Sequence, residues 1–190
     1  MLEKIPHAVG EALSGLKAGL EKTAYHAAFA AVPASITVTS KGFTDGAPMP
    51  ARFTEDGAKV SPPLAWTGVP QGAHSVAILA EDADSPTPNP LVHLIVWNLA
   101  GADDALPEGG IASPGGPGAH LNLGRNSFLK DQYLPPDPPN GHGPHRYVFQ
   151  VYALDRTLDL AASPGRTALL DAMQGHVLAK GQLTGIYARG

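Results

Sequence analysis

Between residues 101 and 144 the chain carries Pro107, Pro114, Pro117, Pro135, Pro136, Pro138 and Pro139. Each proline locks its own φ, gives up a backbone N–H and biases the preceding residue toward extended backbone. No helix can run through such a stretch. A loop of this length inside one domain is more often functional than decorative. Regular structure is therefore pushed to its two flanks, and the 19 prolines and 22 glycines of the 190 residues impose short elements and frequent turns elsewhere.

The flanks carry strand signals. His74–Glu81, Val92–Leu99 and Arg146–Leu154 are the strongest, and Val92–Leu99 is apolar on both faces, as in a strand buried between layers. Ser35–Thr39 alternates and is β-branched. Phe43-Thr44-Asp45-Gly46 and Phe53-Thr54-Glu55-Asp56-Gly57 each end in a turn signal but lie too close together for a structural repeat. Adjacent Pro62 and Pro63 keep Ser61–Trp66 extended, with Trp66 as a core anchor. Gly181–Arg189 reads as a last strand.

Helical periodicity is confined to the ends. Leu2, Ile5, Val9, Leu13, Leu16, Leu20, Ala24 and Ala27 predict an amphipathic helix over 2–30, weakened by Gly10, Gly15 and Gly19. Leu169, Leu170, Met173 and Val177 predict a second over 159–180. The fold class is thus mostly β and mostly antiparallel, with peripheral N- and C-terminal helices. The expected division is an N-terminal amphipathic helix or arm, 1–32, and a domain over 33–190. The arm either docks on its own domain, the favoured reading, or mediates a homodimer.

Hydrophobic residues at 43% and charged ones at 16% mark an ordered domain. A net charge of −4 with no basic stripe excludes nucleic acid as a partner. The absence of cysteine excludes disulfides, thiolate metal sites and cysteine nucleophiles. Glu11, Lys17, Glu21 and Lys22 interrupt any leader-like apolar run, and no stretch approaches the ~20 apolar residues of a transmembrane segment. A cytoplasmic location is expected.

Three distant stretches hold the chemistry: Asp82-Ala83-Asp84-Ser85-Pro86, His93, and Gly143-Pro144-His145-Arg146-Tyr147. Strand periodicity puts His145 and Tyr147 on one face and Arg146 on the other, and points Asp82 and Asp84 one way. If the strands are neighbours, Asp82, His93, His145 and Tyr147 meet at one mouth. The imidazoles and the phenol would donate to phosphate or carboxylate oxygens, while Asp82 fixes an imidazole tautomer. Pro86, Pro138 and Pro139 would shape the rim. Charge-assisted hydrogen bonds of ~1.5–3 kcal/mol each suffice for modest affinity without a metal or other cofactor.

Plainer readings stand beside these. A lone His93 in an apolar strand is more often a core histidine than a ligand. Asp84 and Arg146 read as structural, Asp84 capping its turn or pairing with Arg146. His142 reads as solvated in a glycine-flanked loop. A zinc or iron site on Asp82, His93 and His145 ranks lower, because it gives Tyr147 and the prolines no part. No nucleophile elbow, P-loop or dinucleotide fingerprint is present.

In order and spacing, Phe53–Gly57 with Ser61–Trp66, Asp82–Pro86, His93–Asn98, Gly124-Arg125-Asn126 and Gly143–Phe149 resemble the phosphatidylethanolamine-binding protein family, specifically its bacterial, Raf-kinase-inhibitor-like branch. The resemblance runs from about Ile36 onward and leaves the N-terminal helix outside. It implies a β-sandwich around a central antiparallel sheet with a small anion cavity at one end. Carried over by position, it implies Asp82, His93, His145 and Tyr147 as pocket residues, Pro86 and Pro139 as rim, Tyr133 as an aromatic beside the pocket, and a cis Ser85–Pro86 bond. Leu91 replaces a common aromatic, and Asp137 a usually small residue; an inward acid there would disfavour anions. The implied function is a non-enzymatic binding protein for phosphatidylethanolamine-like headgroups or other small anions, with a regulatory protein partner. The alternatives are a kinase-pathway modulator or protease inhibitor acting by its surface, or a hydrolase using His93 or His145 as general base.

Overall fold

The computed structural model describes residues 6–116 and 118–189. In chain order the strands are β1 (Thr37–Thr39), β2 (Ala47–Pro48), β3 (Leu64–Thr67), β4 (Ser75–Asp82), β5 (Leu91–Ala100), β6 (Asp104–Leu106), β7 (Asn122–Leu123), β8 (His145–Leu154) and β9 (Val177–Tyr187). The α-helices are α1 (His7–Leu13) and α2 (Arg166–Met173). A six-stranded sheet in the order β2-β9-β8-β4-β5-β7 is faced by a three-stranded sheet, β1-β3-β6. Pairing is antiparallel throughout except at β2–β9.

Every residue of β4 is buried, because the sheet is covered on both faces. The period of two sorts its side chains. Val76, Ile78 and Ala80 join Trp66, Phe53 and Phe149 in a core beneath the smaller sheet. Ala77 and Leu79 join Leu169 and Met173 of α2, with Ala24 and Phe29, in a second core. Trp66 is fully buried and its Nε1 donates to the Ala102 carbonyl at 3.0 Å. The architecture is the expected mostly-β sandwich, with helices at both chain ends.

The helices are shorter than expected. Leu2 and Ile5, like Pro117, lie outside the described residues. From the rest of 2–30 the chain forms α1, a 3-10 turn at Leu20–Lys22 and successive turns over 24–31. Gly19 stands at φ +107°, a conformation that no helix contains and few side chains tolerate. The apolar period is met by packing of turns instead of by a helix face. At the other end Gly175, at φ +76°, stops α2 in the manner of a left-handed C-terminal glycine. Val177 and Lys180 therefore belong to β9, which begins before Gly181.

Buried polar groups bind the turns at 24–31 to the sheet. Glu81, fully buried on β4, accepts from Arg166 Nε at 2.6 Å, and from Gln150 Nε2 and the Ala24 N–H at 2.8 Å each. Gln150 Oε1 accepts from the Tyr25 N–H and the Tyr152 hydroxyl. The Lys180 ammonium donates to the Tyr25 and Phe29 carbonyls at 2.8 and 2.7 Å. Among the described residues no helix is long and apolar enough to cross a membrane.

Candidate functional site

Register brings the three chemical stretches to one end of the large sheet. Asp82, the last residue of β4, lies opposite Tyr147 on β8 and Leu91 on β5. His93 is two residues into β5, and His145 begins β8. The long proline-rich loop folds back over this end, tied by Leu134 N–H to the His93 carbonyl and Ser127 N–H to the Val92 carbonyl. Between loop and strands lies a cavity of about 410 Å³. Asp82, Ser85, Pro86, Leu91, His93 and His145 line its strand side; Pro114, Phe128, Lys130, Gln132, Leu134, Pro135, Asp137, Pro138 and Pro139 line its loop side, and Glu55, paired with Lys59, completes the wall.

His93 donates from Nδ1 to the Leu134 carbonyl at 2.7 Å, so its other nitrogen, Nε2, is the one left for a guest. Burial lowers its pKa, against the raising effects of Asp82 and the Leu134 carbonyl. The ring is held neutral and Nε2 presents a lone pair.

His145 differs, because both ring nitrogens are engaged. Nδ1 meets Asp82 Oδ2 at 2.7 Å, and Nε2 meets His142 Nδ1 at 2.7 Å. His142 Nε2 in turn lies 3.1 Å from the Leu16 carbonyl. The expected solvated His142 is therefore a correction: it is 2% exposed. Gly141 and Gly143, at φ +78° and +97°, fold the loop so that His142 turns back onto His145. Those flanking glycines are the sequence signal for this fold-back.

The phenols stand behind the wall, away from the cavity surface. Tyr147 packs edge-on against His93, with ring centroids 5.0 Å apart, and stacks on His145 at 6.3 Å. Its hydroxyl is buried with no hydrogen-bond partner. Burial, reinforced by the nearby Asp82 carboxylate, pushes its pKa well up. The Tyr133 hydroxyl donates to the Phe53 carbonyl at 3.0 Å, facing the core. The Ser85–Pro86 bond is trans, not cis.

Asp82 and Asp84 do not point the same way, because β4 ends at Asp82 and strand alternation stops there. Asp84 accepts from Arg146 Nε at 2.7 Å, Nη2 at 2.8 Å and the Arg146 N–H at 2.9 Å, with Lys17 Nζ at 3.3 Å. Burial opposes its ionisation, but the Arg146 side-chain and backbone hydrogen bonds and the Arg146 and Lys17 charges outweigh it, holding the carboxyl at about 2. A depressed carboxylate stabilises the fold fully above its unfolded pKa, near ~4. That stability is lost as pH falls toward 2, to an extent of about 2 kcal/mol. In urea titrations, Asp84→Asn should lack this part of the acid loss; an unchanged acid limb would refute the assignment.

Asp137 does reach the cavity wall, but paired with Arg189 Nη1. Arg189 also donates to the Pro138 carbonyl and, from Nε and Nη2, to Asp56. Lys130 is the wall's own ammonium. With both nitrogens in use, His145 has none to offer a metal. Among the described residues no three His, Cys, Asp or Glu side chains are grouped to hold one.

The family model for the phosphatidylethanolamine-binding protein matches residues 39–188. A UPF0098 protein of Pyrococcus abyssi is 40% identical over 146 residues, spanning 74% of this chain and 79% of the relative. One from Methanothermobacter thermautotrophicus is 35% identical over 159 residues, spanning 82% of this chain and all of its own length (100%). Among solved structures, a phosphatidylethanolamine-binding protein homolog from Chlamydia trachomatis aligns with a TM-score of 0.74 at 33% identity, covering 82% of this chain and 99% of that one. Escherichia coli YbcL aligns with a TM-score of 0.75 at 27% identity, covering 83% and 100%. α1 and the turns after it precede the residues that the family model matches.

Proposed function

Since this chain belongs to the phosphatidylethanolamine-binding protein family, we propose that its cavity binds a small anion or phosphorylated headgroup whose attached body is apolar. The observation that carries this reading is His93 Nε2, an unspent ring nitrogen on the wall of a cavity otherwise rich in proline and hydrocarbon. Lys130 and Gln132 add donors, while Leu91, Leu134 and Phe128 suit an apolar body. His93 is the residue proposed to touch the anionic end of the head; Asp82, on the same wall with its oxygens accepting from His145 and the Asp84 N–H, would meet only a cationic group of the head. Pro86 and Pro139 bound it, His145 acts through Asp82, and Tyr147 and Tyr133 support the wall from behind. A regulatory protein partner would read the occupied mouth.

Because His93 is neutral when the cavity is empty, an anion must bring a proton with it. The lowered pKa of the free ring rises beside the bound charge, and between the two values each binding event takes up one proton. Sulfate isolates this effect, since it does not itself titrate near neutrality. Calorimetry between pH 5 and 8 should show affinity falling as pH rises through that window, by at most about tenfold per pH unit. His93→Ala should weaken binding and flatten the profile. No sulfate binding by the parent chain across the range would overturn the reading. Comparing phosphoethanolamine with inorganic phosphate at one pH then separates headgroup recognition from recognition of a bare anion.

A further inference from the structure

The bonds joining Asp82, His145 and His142 end on a backbone carbonyl, and that ending fixes a proton count. Three contacts run in series: Asp82 Oδ2 to His145 Nδ1, His145 Nε2 to His142 Nδ1, and His142 Nε2 to the Leu16 carbonyl. Each requires one hydrogen. A carboxylate and two neutral imidazoles bring only two, so one contact would then set lone pair against lone pair. With His142 at 2% exposure, water is poorly placed to relieve it. All three bonds are made only when the trio holds a third hydrogen. That hydrogen sits either on the rings, giving a carboxylate beside an imidazolium, or on the Asp82 carboxyl. In both forms the trio is neutral overall. Without the Leu16 carbonyl two hydrogens would suffice, and the trio would carry a full negative charge.

That carbonyl belongs to the segment before the family-matched residues, and the segment is fastened to the cavity wall. The Ala18 and Gly19 N–H groups donate at 2.8 Å to the carbonyls of Ser85 and Ala83, and Lys17 pairs with Asp84. The same turn carries Ser85 and Pro86 onto the wall.

We propose that His142, anchored by the Leu16 carbonyl, is a positioning residue that keeps the Asp82–His145–His142 relay neutral, so that an incoming anion does not meet a net negative wall. The proposal rests on the anion reading above. His142 touches no guest and acts through His145 and Asp82. Other charged or titratable groups around the relay include Lys17 on the N-terminal segment, His7 of α1 beside Gly141, Asp84 with Arg146 at the turn, His93 on β5, Tyr147 on β8, Tyr187 opposite His145 on β9, and Asp137 with Arg189 from the loop and the chain end. Burial and the neighbouring His145 charge lower the proton affinity of His142, against the Leu16 and Leu13 carbonyls.

Two measurements on the full chain test this. Long-range ¹H–¹⁵N spectra at pH 7 without ligand, with the Asp82 carboxyl ¹³C shift, count the hydrogens on the trio. Three are expected, and two would overturn the relay. The second measurement is sulfate affinity in His142→Leu and His142→Gln. Glutamine can accept from His145 Nε2–H and donate to the Leu16 carbonyl, so it keeps the count; leucine can do neither. Removing one unit of positive charge about 10 Å from the doubly charged sulfate, at an effective dielectric of about 40, should weaken its binding roughly tenfold in the leucine variant. The glutamine variant should stay within about twofold of the parent. Equal weakening in both would reduce His142 to a packing residue and overturn the proposal. Amide spectra of each variant check the fold, and the count on the parent chain stands if leucine disrupts it. If the parent itself fails to bind sulfate, the anion reading falls and takes the consequence for binding with it. A count of two in a chain that does bind sulfate refutes the relay alone.

Discussion

Glu81→Ala should lower the unfolding free energy by about 3–5 kcal/mol, the loss seen when one member of a buried ion pair is removed. Glu81 is fully buried and satisfies three donors at once: Arg166, Gln150 and the Ala24 N–H. Alanine leaves the Ala24 N–H without its acceptor, leaves Gln150 Nε2 only the long 3.5 Å bond to the Val148 carbonyl, and removes the packed side chain. Arg166, at the edge of the network, can recover some hydration, which keeps the loss from being larger. Urea unfolding of parent and variant measures the difference. Glu81→Gln, which keeps an acceptor for Ala24 but loses the charge, should fall between them. Hydrogen exchange should locate the weakness over residues 20–32, which this carboxylate ties to the sheet together with Gln150 and Lys180. A loss below about 1 kcal/mol would mean that apolar packing of Ala24 and Phe29 holds these turns instead.

The second large effect concerns the cavity. Arg189→Leu should reduce sulfate affinity by about thirtyfold at low salt, because it strips Asp137 of its guanidinium and leaves a carboxylate on the wall. The figure corresponds to the doubly charged sulfate about 8 Å from the lost unit charge at an effective dielectric of about 40, between the near-surface and bulk-water values. The deficit should shrink as salt is raised. Arg189→Leu combined with Asp137→Asn should recover most of the affinity, since the offending charge is gone. If the double variant binds no better than the single, the loss reflects collapse of the Pro138 wall, which Arg189 also holds.

What could be read from the residues alone follows from what is local. β5 announced itself by apolar residues on both faces, and it is indeed covered on both sides. Alternation placed Tyr147 on the face of His145, which the stacking of their rings bears out. It could not say how deep the phenol lies, because depth depends on what the long loop covers. Alternation also failed one step past the end of β4, at Asp84, where the backbone turns. The N-terminal apolar period was real as a burial signal, since Ala24 is in the second core, but not as a helix. Its partners are a carboxylate, an amide and an ammonium on three strands, and turns reach them where a straight helix interrupted by Gly19 does not. His142 escaped notice because its significance lies in two contacts, with His145 and with Leu16, and the second is 126 residues away in sequence.

Five residues of the cavity wall are prolines: Pro86, Pro114, Pro135, Pro138 and Pro139. A proline has no amide hydrogen to give, so along these positions the main chain can touch a guest but cannot solvate its charge. A guest of the proposed kind would then have its charge met by side chains, while these prolines offer it hydrocarbon contact only. Under the binding role proposed above, compounds sharing a head should compete as long as the part behind it is apolar and fits, and the site would respond to a chemical class more than to any single molecule.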